Sequence, residues 1–132
     1  MSPGERATGQ CACGAISYTV TGALRPVMNC HCHRCRRITG HFMAATSADL
    51  ERLDVAPTDQ LRWYEASPGV FYGFCAACGS SLFWRNNDEP DRWSIAAGTL
   101  DPPTGLSTDS AIWTSEASDY HALDDVPNRP FE

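Results

Sequence analysis

A mainly β fold is predicted, and three observations predict it. Short runs alternate apolar and polar side chains, the period of a half-buried strand. Glycine and proline signals separate these runs at close intervals. The seven cysteines fall into three tight clusters: Cys11-Ala-Cys13-Gly14, Cys30-His31-Cys32-His33-Arg34-Cys35 and Cys75-Ala-Ala-Cys78-Gly79. At that spacing thiols can converge on one metal ion.

The elements follow in order. Residues 1–10 are polar and hold no apolar stretch, so no secretory signal is expected. Residues 15–21 alternate as a strand directly after Cys13-Gly14, which places the first thiol pair at a turn. Residues 27–29 are a short extended run into the second cluster. Residues 36–40 read as one helical turn ending at Gly40, a left-handed cap position, and residues 41–46 as a strand. Residues 48–53 are a second helical candidate. Aromatic-rich strands are expected at 61–65 and 70–74, with Ser67-Pro68-Gly69 between them. Residues 81–85 would be the return strand after the third cluster. A polar turn follows at 86–90, a strand at 93–97 ended by Gly98, and a break at 101–105. Residues 112–113 read as a last short strand, and the tail from Val126 as irregular.

Length and charge bound the function. At 132 residues the chain is expected to be one domain, residues 1–132, large enough to bury roughly 65–70% of its unfolded surface. A formal net charge of −6 argues against a nucleic-acid partner, which is held by basic side chains on phosphates. No segment approaches the roughly 20 apolar residues that span a bilayer, so no membrane partner is expected. The chain has no lysine, so any Lys- or Arg-type contact to a substrate is a planar, forked guanidinium. An odd number of cysteines cannot pair completely, and a reducing cytoplasm is the expected compartment, where thiol clusters favour metal or redox chemistry.

Seven thiols divide as four plus three. Tetrahedral zinc takes four sulfur ligands in a closed structural site, or three protein ligands and an open position in a working site. In a regular strand, side chains at i and i+2 lie about 6.5–7 Å apart, too wide for two sulfurs on one ion. The backbone must therefore bend at Cys11 and Cys13. Gly14 and Gly79, each just after a thiol pair, tolerate the positive φ that a bend requires. The other readings of Cys75 and Cys78 are a redox pair and buried thiols; the redox motif belongs near a β-α-β unit, absent here.

The middle cluster offers Cys30, Cys32 and Cys35. Either His31, His33 or His41 closes the site, or the fourth position is open to an outside ligand. An ion already bound by three thiolates is a poor activator of water and suits a soft ligand, above all a thiol. Zinc deprotonates a coordinated thiol, and the thiolate is the nucleophilic form. Arg34, Arg36 and Arg37 could balance the charge or hold anionic groups of a thiol substrate. Their alternative reading is solvated surface arginine.

The stretches Gly9-Gln-Cys-Ala-Cys-Gly14, Cys30-His-Cys-His-Arg-Cys-Arg-Arg-Ile-Thr-Gly40, Phe74-Cys-Ala-Ala-Cys-Gly-Ser80 and Gly98-Thr-Leu-Asp101 resemble, in order and spacing, the glutathione-dependent formaldehyde-activating enzyme family, which includes centromere protein V. The resemblance implies a small fold of coiled β-sheets built around zinc-binding knuckles, similar to the zinc-binding exchange factor for Rab GTPases. It implies two zinc ions: a structural one held by Cys11, Cys13, Cys75 and Cys78, and a more labile, catalytic one held by Cys30, Cys32 and Cys35. It implies a carbon–sulfur lyase reaction run in reverse, joining glutathione or an analogous small thiol to formaldehyde or a similar aldehyde. The chain departs from the family pattern at Ala111, where a His is frequent, and at Ser118-Asp-Tyr120, where Ser-Pro-Trp is frequent. In the enzyme reading, His31, His33 or a water donates the proton that neutralises the alkoxide. The rival readings are a thiol or adduct carrier without catalysis and a zinc-stabilised interaction domain.

Overall fold

The structure is a computed structural model that describes residues 5–132; residues 1–4, the start of the polar N-terminal stretch, lie outside it. The elements are β1 (Arg6–Gln10), β2 (Ser17–Thr21), β3 (Val27–Cys30), α1 (His33–Thr39), β4 (Met43–Asp49), β5 (Leu53–Val55), β6 (Leu61–Ser67), β7 (Val70–Cys75), β8 (Ser81–Asn86), β9 (Arg92–Ala96), β10 (Thr108–Ile112) and β11 (Asn128–Arg129). They form a three-stranded sheet in the order β1-β2-β5 and an eight-stranded sheet in the order β11-β10-β3-β4-β9-β8-β7-β6. The mainly β expectation holds.

Differences from the sequence expectations have identifiable physical causes. Strand β1 lacks an apolar period, because Gly9 is its one buried residue; it is a strand through its antiparallel pairing with β2. Helix α1 begins at His33 rather than after Cys35, because the Cys32 sulfur caps it by accepting the Cys35 N–H at 3.3 Å. It ends where expected, at Gly40 with φ of 87°. Residues 48–53 are not a helix. Strand β4 continues through Ala48, a core residue opposite Trp93, and only Leu50–Arg52 forms a 3-10 turn. Pairing with β9 overrides the local helical preference. Strand β10 ends before Trp113, which turns out of the sheet with a φ of 53°.

The two faces of the eight-stranded sheet have different roles. Thr46, Ile95 and Phe83 are register partners across β4, β9 and β8. Ile95, Phe83 and Ala48 join Tyr18 and Val20 of the smaller sheet, and Ile16 just before β2, in the main apolar core, with Thr46 buried beside them; the Tyr18 and Phe83 ring centroids are 5.4 Å apart. The other face follows from the pleat. Ile112, Cys30 and Met43 form one row of register partners, and Ser47, Ser94, Trp84 and Tyr72 form another. Side chains two residues apart on a strand share a face, so both rows look the same way. Against this face packs a second apolar cluster, with α1 contributing Cys35 and Ile38.

Candidate functional site

Two thiol groups are assembled, one on each side of the large sheet. The sulfurs of Cys11, Cys13, Cys75 and Cys78 all lie within 4.8 Å of one another. The Cys11 and Cys13 sulfurs are 3.7 Å apart, and those of Cys13 and Cys75 are 3.9 Å apart. A zinc tetrahedron with Zn–S of roughly 2.3 Å has edges of about 3.8 Å, so these spacings fit that ion. The backbone bends as the spacing demands: Gly14 has φ of 78° and Gly79 of 81°. The Ile16 N–H is donated to the Cys11 sulfur at 3.3 Å. Ser80 ties the two knuckles together, accepting the Ala12 N–H at 2.9 Å while its hydroxyl lies 3.1 Å from the Cys78 sulfur. Its hydroxyl and backbone N–H pull Cys78 down to about 5. Cys11 and Cys75 are buried in the main core, whereas Cys13 and Cys78 are exposed.

The second group is Cys30, Cys32 and Cys35, again with sulfurs within 4.8 Å of one another. Cys30 ends β3, Cys32 caps α1 and Cys35 lies on its first turn. The crowding lets one thiolate form at the expense of the others. Hydrogen bonds from Cys30 and Cys35 pull Cys32 down to about 2. Cys30 is pushed up to about 11, chiefly by Cys32, and Cys35 is pushed up by Cys30, by Cys32 and by burial. Three thiolates can share this space only beside a cation, so this donor set also fits zinc. The Tyr72 hydroxyl lies 3.2 Å from the Cys35 sulfur, and both residues are buried.

All three thiols line a cavity of about 360 Å³. Met28, Met43, Trp84 and Ile112 supply apolar wall, and Trp113 and Glu116 stand at the side formed by the chain after β10. The expected histidines separate here. His33 lines the cavity and its Nδ1 lies 2.9 Å from Glu116 Oε1, which also accepts the His33 backbone N–H at 2.8 Å. These His33 contacts, backbone first, hold the Glu116 carboxyl below its ordinary value. His31 is buried, 5.0 Å from Phe42 and stacked at 6.3 Å on His121 between ring centroids, and is not part of the cavity wall. Burial, then His121 and His41, holds its imidazole below the ordinary value. His41 Nδ1 lies 2.7 Å from the Tyr120 hydroxyl. Among the described residues no histidine nitrogen joins the three sulfurs.

The cations are also redistributed. Arg36 is half-buried on α1, Arg37 is exposed, and neither lines the cavity. Arg34 does, with Nη1 donating to Ser67 Oγ at 3.2 Å. So does Arg25, which no motif marks. Glu116 was equally silent in sequence; its place depends on the left-handed turn at Trp113, 83 residues beyond its partner His33. Of the two family departures, Ala111 is fully buried on β10, and Tyr120 is exposed against His41.

The family model for the glutathione-dependent formaldehyde-activating enzyme matches residues 6–116. The crystal structure of a Rhodobacter sphaeroides protein is similar at a TM-score of 0.61 and 25% identity, covering 74% of this chain and 91% of that one. A comparison with curated proteins finds no match.

Proposed function

We infer the function from one premise: the chain belongs to the glutathione-dependent formaldehyde-activating enzyme family. It acts as a zinc-dependent carbon–sulfur lyase running toward synthesis, adding a low-molecular-weight thiol, glutathione or an analogue, to formaldehyde or a similar small aldehyde. The observation that carries this reading is the meeting of three thiols in a cavity while, among the described residues, no histidine nitrogen joins them.

The chain's own residues divide the work. Cys30, Cys32 and Cys35 would hold the second zinc, and Cys11, Cys13, Cys75 and Cys78 the first. When bound at the cavity, zinc supplies a cation that favours the thiolate form of an incoming thiol. The cavity wall holds thiol and aldehyde together, replacing a bimolecular encounter with a positioned one. A carbon–sulfur bond forms, the carbonyl π bond opens, and the thiol proton ends on the new hydroxymethyl oxygen. No oxidant or reductant enters. His33 is the residue suited to carry that proton. Glu116 accepts at Nδ1 and fixes the ring, leaving Nε2 as the atom that gives or takes the proton.

The test compares zinc-loaded protein with Cys32→Ser, following adduct formation between formaldehyde and several thiols by NMR exchange. Faster exchange with at least one thiol, lost in the variant, is expected. Equal rates for every thiol would remove the enzyme reading. Saturable thiol binding without acceleration would instead establish a carrier.

A further inference from the structure

Arg25 is a half-buried cation that, among the described residues, has no carboxylate in direct contact. Its Nε donates to Ser47 Oγ at 2.9 Å, and its Nη1 donates to the carbonyls of Pro26 at 3.1 Å and Ala45 at 3.2 Å. These bonds fix the plane of the guanidinium. Among the described residues no carboxylate lies within ion-pair distance of it; Asp109 acts on it only at longer range. Neutral acceptors orient the group but do not cancel its charge, which Asp109 offsets only from a distance, and withdrawing such a charge from water is costly. A fixed cation facing a largely apolar cavity is a subsite for an anion.

The sheet register sets how far this cation lies from the thiols. The guanidinium is tied to Ala45, whose partner across the ladder is Met28. Cys30 lies opposite Met43, two residues farther along the same strands, or roughly 7 Å. Met28, Met43 and Ala45 line the wall between. A ligand with its sulfur at the cysteines would reach Arg25 with a group several bonds away, across an apolar stretch. A free cysteine, with its carboxylate close to its sulfur, is too short. A peptidic thiol has the reach.

We propose that Arg25 is the carboxylate anchor of the cavity and selects thiols that carry a carboxylate roughly 7 Å or more from the sulfur. This rests on the thiol chemistry proposed above, and it deepens that reading by naming the substrate feature that is recognised. With Nε and Nη1 engaged by Ser47, Pro26 and Ala45, the Nη2 N–H groups remain to donate a charge-assisted bond to a carboxylate from a fixed position, which a flexible lysine ammonium does not reproduce.

The test separates binding from chemistry. S-Methylglutathione, which has no free thiol, and its diester are titrated into the zinc-loaded full chain. Binding is read by calorimetry and by fluorescence of Trp84 and Trp113, which line the cavity. The acid is expected to bind the native protein roughly tenfold or more tightly than the diester. In Arg25→Gln that preference should vanish, and in Arg25→Lys it should be only partly retained. Equal affinity of acid and diester for the native protein, no binding of the acid, or a preference undiminished in Arg25→Gln each overturns the proposal. The comparison on native protein stands even where a variant does not fold. Acid-selective binding without any acceleration of the formaldehyde reaction would leave this subsite in place and remove the catalytic reading instead.

Discussion

Tyr72 meets the three-thiol group through a single hydroxyl, 3.2 Å from the Cys35 sulfur. With a thiolate at Cys35 the hydroxyl must be the donor, and burial followed by the nearby Cys35 pushes its pKa up, which keeps the proton in place. A hydrogen bond to a metal ligand orients it and tunes the metal, and losing such a partner weakens metal binding roughly 10–100-fold. Tyr72→Phe should therefore lower zinc affinity at Cys30, Cys32 and Cys35 by about that factor and leave the four-thiol group unchanged. Competition with a chromophoric chelator, resolving the two ions, checks this. At this scale the thiols were legible in sequence, because their spacing is itself the chemical pattern. Tyr72, Glu116 and Arg25 were not: each reaches the cavity from a separate part of the chain, and none lies in a motif.

The turns that carry the outer thiols show how much a short element encodes. Gly79 has φ of 81°, and a Cβ built there meets nothing within 4 Å. Any cost of a side chain is therefore purely a backbone one. Gly79→Ala should destabilise the zinc-loaded protein by about 1–2 kcal/mol, the penalty for an L-residue in the left-handed region. Denaturant unfolding of the two proteins measures it, and an unchanged midpoint would show that the turn relaxes. Such a bend is visible in sequence because thiol spacing and glycine together demand it. The helix after Cys32 was less legible, since its cap is a cysteine sulfur rather than the usual hydroxyl or carboxylate. The end of strand β4 is not legible locally, because the β9 residues it pairs with lie far away in sequence.

Across the whole molecule the two thiol groups stand in different mechanical positions. Cys11 and Cys75 are packed in the core between the sheets, and their group ties the turn after β1 to the turn after β7. The other group joins β3 to α1 over a few residues, on the opposite face and open to the cavity. Zinc at small thiol sites binds with apparent free energies of about 10–16 kcal/mol, comparable to the roughly 5–15 kcal/mol that holds a whole domain folded. Chelation should therefore proceed in two phases. The cavity ion leaves first with the far-ultraviolet circular dichroism intact, and loss of the second ion coincides with unfolding. A single phase that removes both ions and the fold together would contradict this division.

The chain alone determined the β class, the bends at Gly14 and Gly79, and the identity of the seven thiols as ligand candidates. Each of these depends on residues close in sequence, where spacing and backbone freedom act directly. Only the tertiary structure decided that Arg25 shares a cavity with the three thiols, that His33 rather than His31 lines it, and that Glu116 orients that ring. Those choices depend on which face of a pleated sheet a side chain takes and which distant segment closes over it. A one-residue change in register would reverse every face, and local sequence does not specify that register.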